Sequence, residues 1–225
     1  MKTIKQSIKF FALFCCITAC SSSTQSIDLV GIWNVQSITS GDVELVSKND
    51  GLFLDFRASN ILYGGDGYGF SKGSWKTSSA KVELIIDGDT ITGVATYLPD
   101  STLEIKGNHS DGSPAVMKMV KNKYKGELGV LVAQVYSPKR YPDKTVTEAV
   151  NGFFSEPKWE SFFDVEIEGF YVNMKGGMTF DGKPVDALLQ FKVTSIFDCE
   201  ISAFEMNGVP QNELMLVGLL EKMFE

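Results

Sequence analysis

Along residues 29–122 apolar and polar side chains alternate with a period of two, in short runs divided by turn residues, which is the pattern of half-buried strands. The runs fall near 30–38, 51–57, 60–64, 68–76, 81–87, 90–98, 101–107 and 115–121. Leu52, Leu54 and Phe56 share one face against Phe53, Asp55 and Arg57, and Val82, Leu84 and Ile86 oppose Glu83, Ile85 and Asp87. Asp87-Gly88-Asp89 and Asp111-Gly112 tolerate positive φ and mark hairpins. No stripe of helical spacing interrupts the stretch. The pattern predicts a small antiparallel β-barrel or curled meander over residues 29–125.

The pattern changes from residue 126. Leu128 to Val135 is a strongly apolar run and predicts a buried strand. Thr145-Val146-Thr147-Glu148 is a capping box, followed by Val146, Ala149, Val150, Phe153 and Phe154 on one helical stripe. Trp159, Phe162 and Phe163 repeat that spacing after Pro157 and predict a second short helix. Strands follow near 165–174, 176–181, 184–194 and 197–207, with a hairpin at Asp181-Gly182-Lys183, and a last helix runs from Glu213 to Phe224. The order predicts an α+β domain over residues 126–225, its helices packed on an antiparallel sheet, so the whole chain reads as mainly β plus α+β. The basic segment Lys121 to Gly126 is the expected joint between two separately cored units.

The first residues read as an address. Lys2, Lys5 and Lys9 precede the apolar run Phe10 to Ala19, which has the layout of a secretory signal and is too short for a bilayer core needing roughly 20 apolar residues. Ile17-Thr18-Ala19-Cys20 followed by Ser21-Ser22-Ser23 resembles the bacterial lipobox. That resemblance implies a signal peptide over 1–19, lipidation of Cys20, and a lipidated tether over 20–28. Two or more acyl chains anchor durably, so the implied partner is a membrane held through Cys20. Ser21 after the cysteine resembles the arrangement sorted to the outer membrane, so the expected location is the cell envelope, facing the periplasm or the surface. Loss of residues 1–19 removes three lysines and no acid, taking the net charge from −7 to −10.

Two further resemblances follow from short motifs. Leu29-Val30-Gly31-Ile32-Trp33 resembles the Gly-x-Trp opening of lipocalin-like barrels and of small META-type lipoprotein domains, which implies a barrel whose Trp closes one end. Tyr141-Pro-Asp-Lys-Thr with Phe153-Phe-Ser-Glu-Pro-Lys-Trp and Asn207-Gly-Val-Pro-Gln-Asn resembles a C-terminal module of exported bacterial lipoproteins for which no activity is implied.

Chemistry narrows the field by exclusion. An acidic chain lacks the basic footprint for nucleic acid, so no nucleic-acid partner is expected. His109 is the single histidine, which removes sites needing two imidazoles, and it reads as part of an exposed loop. The run Gly64-Gly65-Asp66-Gly67-Tyr68-Gly69 feeds a strand, whereas a phosphate loop must feed a helix N-terminus. Cys199 sits on the apolar face of an alternating run and reads as a buried small hydrophobe. Asp66, Asp87 and Asp89 read as turn residues, since no calcium loop surrounds them. No catalytic, metal or cofactor residue is assigned, and the chain is expected not to be an enzyme. The expectation is an envelope lipoprotein acting as a macromolecule-binding accessory or scaffold, with the aromatic stripe at Trp159, Phe162 and Phe163 as the first surface to test. The alternative is a lipoprotein binding a small hydrophobic ligand or lipid in its barrel. A connected cavity above about 300 Å³ favours the ligand, and an interior filled by its own side chains favours the scaffold.

Overall fold

Each alternating run of the first half pairs antiparallel with the next. In the computed structural model, which describes residues 27–225, these are β1 (Gly31–Ser40), β2 (Val43–Ser47), β3 (Phe53–Phe56), β4 (Ile61–Gly65), β5 (Phe70–Ser78), β6 (Lys81–Ile86), β7 (Asp89–Tyr97), β8 (Leu103–Asn108) and β9 (Pro114–Lys121). Pairing of β1 with β9 closes β1 and β3 to β9 into an eight-stranded antiparallel barrel. The eight expected runs are these eight strands. The short β2 went unrecognised because Val43-Glu44-Leu45-Val46 is too brief to show an alternation. It pairs with residues 37–40 of β1, beyond the point where β3 leaves that edge.

Closure requires close approach of neighbouring backbones. A Cβ on Gly73 would lie 1.9 Å from the Ile85 carbonyl oxygen, and one on Gly107 1.9 Å from that of Thr92, so neither position accepts a side chain. Inside, Trp33, Val35, Leu54, Phe56, Leu62, Trp75, Leu84, Leu103, Ile105 and Met119 form one buried cluster. The end where the chain enters is plugged. The Trp33 indole N–H donates to the Leu29 carbonyl at 2.7 Å, Lys121 Nζ stands 5.3 Å over the Trp33 ring, and Phe56 meets Trp75 edge-on at 5.6 Å.

The second half holds α1 (Leu128–Val135), α2 (Val146–Phe153), β10 (Ser155–Asp164), β11 (Gly169–Phe180), β12 (Lys183–Ser195), β13 (Asp198–Met206), β14 (Val209–Pro210) and α3 (Glu213–Phe224). Strands β10 to β14 form a second antiparallel sheet in chain order. Three expectations are corrected. The strands expected near 165–174 and 176–181 are one continuous strand, β11, entered from a turn at 165–168. The run 128–135 is a helix instead of a strand, and Trp159, Phe162 and Phe163 lie on strand β10 instead of a second helix. In β10 the residues alternate strictly: Trp159, Ser161 and Phe163 turn inward while Lys158, Glu160 and Phe162 turn outward. The aromatic stripe is satisfied by period two because Lys158 and Glu160 need solvent. The hairpin at Asp181-Gly182, the capping box of Thr145 and Glu148, and the last helix stand where the pattern put them.

Helices and second sheet share one apolar cluster, and two residues of the barrel belong to it. Ile32 and Phe70, on the outer wall, are buried with Leu128, Val150, Phe170, Leu189 and Phe191. Tyr63 and Phe70 pack against Phe170 at 5.1 and 4.9 Å, and Tyr63 against Phe163 at 5.0 Å. At the edge of this contact lies a polar chain. Asp55, 1% exposed on β3, pairs with Arg57 at 2.7 Å and accepts the backbone N–H of Leu128 at 3.0 Å. Arg57 also pairs with Glu127 at 2.5 Å, and Glu127 in turn accepts the N–H of Ser161 at 3.1 Å and its hydroxyl.

Burial raises the Asp55 carboxyl above its ordinary 3.8, against the pull of Arg57 and the Leu128 N–H. Burial also works to raise Glu127, but Ser161 and Arg57 outweigh it and hold its carboxyl below the usual 4.5. Removing Asp55 takes away one of the two carboxylates that hold Arg57 and leaves the buried Leu128 N–H at the start of α1 without its acceptor. Asp55→Ala is expected to cost about 3 kcal/mol in urea unfolding, and Asp55→Asn less, since an amide oxygen can still accept from Leu128. A loss under about 1 kcal/mol for Asp55→Ala would refute this joint. Because the folded pKa of Glu127 is depressed, its stabilisation is present above pH 4.5 and disappears as pH falls through the lowered value. Glu127→Gln should therefore flatten the acid limb of the stability profile, which chemical denaturation across pH 3 to 6 reads directly.

Candidate functional site at the barrel mouth

The plug leaves the opposite end of the barrel open. There the turns β4–β5, β6–β7 and β8–β9 converge with the β1–β2 hairpin around a pocket of about 620 Å³. Leu54, Leu62, Leu84, Ile91 and Met117 form its deep walls, and Ile38, Leu45 and Val46 extend them on the side that β2 builds. Thus a strand that the sequence pattern hid supplies part of the lining. The second half contributes Ile167 and Glu168 from the turn before β11 and Thr194 from the end of β12.

A glycine keeps this mouth open. A Cβ on Gly64 would reach within 2.6 Å of the Ile86 side chain inside the barrel, whereas one on Gly65 would come within 2.4 Å of the Phe70 ring on the outer wall, so Gly65 makes room for the contact with the second half. The glycine run is a strand connection, as its context implied, and it leads into β5. Asp66 shapes the connection by accepting the N–H groups of Tyr68 at 2.8 Å and Gly69 at 3.0 Å through one carboxylate oxygen. The Asp66 carbonyl accepts the N–H of Ile196 at 3.0 Å, which ties the mouth to the β12–β13 turn.

Polar groups crowd the entrance. Asp66, Asp87, Asp89, Glu168 and His109 line it, and no lysine or arginine does. Asp87 accepts the Ser71 hydroxyl at 2.6 Å. Asp89 holds His109 through Nδ1 at 2.7 Å and accepts the Ser110 hydroxyl at 3.2 Å. The expected exposed loop is thus corrected for His109, whose side chain is only 12% exposed because Asp89 draws the ring inward. The hydrogen bond to His109 keeps the Asp89 carboxyl below its usual value. Since an ionised carboxylate can only accept, Nδ1 carries a proton and donates it to Asp89. Nε2 is buried and has no hydrogen-bond partner among the described residues. An Asp–His pair is present, but no hydroxyl or thiol meets the other ring nitrogen to serve as nucleophile.

The other residues singled out in the sequence scatter. Cys199 is buried on β13, and desolvation, with Asp198 and Glu200 beside it, pushes its thiol up to about 12, far from a reactive thiolate. Trp159 packs on Phe191 at 5.6 Å and Phe163 on Phe170 at 5.2 Å, so of the three aromatics only Phe162 stands at the surface, stacked on Tyr171. Among the described residues no group of three or more His, Cys, Asp or Glu is arranged to hold a metal, and no helix is long and apolar enough to cross a membrane. Cys20 and the signal segment lie outside the described residues.

No family model, curated protein or solved structure matches this chain. The mouth went unrecognised in the sequence because its lining is dispersed over strands β1 to β7 and β9, the turns between them and segments far along the second half. One signal was available: the β7–β8 hairpin pairs Thr92 with Asn108, a register that brings Asp89 to the level of His109 to Asp111. Removal of the imidazole should release Asp89. In His109→Ala its carboxyl is expected to titrate nearer 3.8, followed by carbon NMR of the side chain, and an unchanged titration would rule out His109 as the cause of the depression.

Proposed function

We propose that this protein is a lipid-anchored binding protein of the cell envelope whose barrel mouth takes up a small, largely apolar ligand. The observation that carries the reading is the pocket of about 620 Å³ walled by Leu54, Leu62, Leu84, Ile91 and Met117, a size and lining suited to a small-molecule site. Binding in such a pocket is driven by the burial of apolar surface on both sides, at about 25 cal/mol per Å². The barrel interior thus divides by depth, filled near Trp33 and open beyond Leu54. Of the two functions expected from the sequence, ligand binding is favoured over a purely scaffolding role. The reading is that of a binder and not an enzyme, because the one Asp–His pair lacks a nucleophile and the buried thiol is unreactive. The helices are read as a layer over one face of the second sheet, with α1 against β10, β11 and β12, stiffening the turns that reach the mouth.

The anchor belongs to the same proposal. Cys20 is read as the acylated residue and the outer membrane as its destination, on the strength of the lipobox resemblance. Asp28 pairs with Lys121 at the plugged end, so the chain joins the barrel opposite the mouth. The residues between Cys20 and Ile27 span at most about 25 Å. A tether at that end directs the mouth away from the lipid it is fixed in, toward ligand arriving from solution or from another carrier.

Two measurements test the reading. The neutral fluorophore N-phenyl-1-naphthylamine should brighten on binding the purified protein produced without its first twenty residues, with micromolar affinity, and Ile91→Trp, which fills the pocket, should weaken that signal at least tenfold while leaving the melting temperature within a few degrees. No binding, or binding indifferent to Ile91→Trp, overturns the ligand site. Separately, Cys20→Ala should move the protein from the membrane fraction to the soluble fraction. Retention of the variant in membranes defeats the anchor while leaving the pocket untouched.

A further inference from the structure

Resting on the ligand-binding reading above, we infer that the mouth selects an amphiphile with a cationic head, such as an alkylammonium, over an anionic or neutral one of equal tail. The deep walls are apolar and dictate a hydrocarbon or aromatic tail, while the entrance decides the head. Four carboxylates line that entrance, Asp66, Asp87, Asp89 and Glu168, and no lysine or arginine does. Of these, Asp66, Asp87 and Glu168 make no ion pair among the described residues, and Asp89 meets only His109. The four come from three separate parts of the chain, the β4–β5 turn, the β6–β7 turn and the turn before β11, so the fold gathers negative charge at the rim of an apolar hole.

Low-dielectric walls strengthen the field of such a rim over that of the same carboxylates on an open surface. A fatty carboxylate or phosphate head would approach like charge, with no basic group to receive it. An ammonium head meets carboxylates. The carboxylates of Asp87 and Glu168 are open to it, and His109, which lines the same pocket, is held by Asp89. The apolar cavity makes the site, and the carboxylates set its specificity.

The experiment uses three ten-carbon ligands below their micellar concentrations at pH 7.5: decylammonium, decanoate and decanol, each titrated to displace bound N-phenyl-1-naphthylamine. Decylammonium should displace at about tenfold lower concentration than decanoate, with decanol between them, and added salt should shrink the spread. The double variant Asp87→Asn/Glu168→Gln, with displacement read against its own measured fluorophore affinity, should reduce the preference to about threefold or less, and a preference kept at about tenfold refutes the role of these carboxylates. Equal displacement by all three, or a preference for decanoate, refutes the cationic head and leaves the ligand pocket standing. Failure of the fluorophore to bind refutes both.

Discussion

The buried carboxylate of Asp55 joins the parts of this molecule. It stands on the outer wall of the barrel, on the polar side of a strand whose other side fills the barrel core, and it is satisfied by a partner on the same strand and by a backbone group seventy-three residues later. The cap it gives to Leu128 is the one side-chain cap α1 receives, since the adjacent Glu127 makes none. Glu127 instead turns to Arg57 and Ser161, linking barrel, helix and second sheet through one chain of charged and hydrogen-bonded groups. Such a network is costly to bury and weak evidence for net stability. It ties the orientation of α1 and β10 to β3 through three successive contacts, Leu128 to Asp55, Arg57 to Glu127 and Ser161 to Glu127. The aromatic cluster of Tyr63, Phe70, Phe163 and Phe170 beside it supplies the apolar burial.

That fixed orientation reaches the functional site. The turns bearing Glu168 and Ile196 are parts of the second sheet, and they meet the barrel at the glycine connection around Asp66. With the second sheet held against the outer wall by Asp55 and the aromatic cluster, its turns form one side of the entrance to the barrel. The pocket is therefore a product of both halves, its depth set by the barrel and part of its rim by the sheet.

The barrel itself shows how one fold gives both a plug and a hole. Large side chains gather where the chain enters, with Trp33, Phe56, Trp75 and Met119 filling the cross-section. Toward the other end the inward residues shrink to leucine and isoleucine, and a glycine stands at position 64. An eight-stranded barrel is just wide enough for side chains to fill. Smaller ones at one end leave a cavity there without any change in strand number.

By itself the sequence determined what depends on local periodicity and local hydrogen bonding. Eight strands of alternating residues, the capping box at Thr145, the hairpin at Asp181-Gly182 and the amphipathic last helix were all legible, because each is specified within about a dozen neighbouring residues. It determined equally that the glycine run leads into a strand. Tertiary structure decided the rest. Leu128 to Val135 has the composition of a buried strand, and it is a helix because its first free N–H meets a carboxylate from β3 and its apolar sides meet two sheets. Residues 159–163 fit both periods, and the inward aromatics with outward Lys158 and Glu160 settle the choice only once a neighbouring strand exists to pair with. His109 looks exposed until the hairpin partner Asp89 draws it in. The mouth, built from side chains distributed from residue 38 to residue 194, could be read only after closure brought them together.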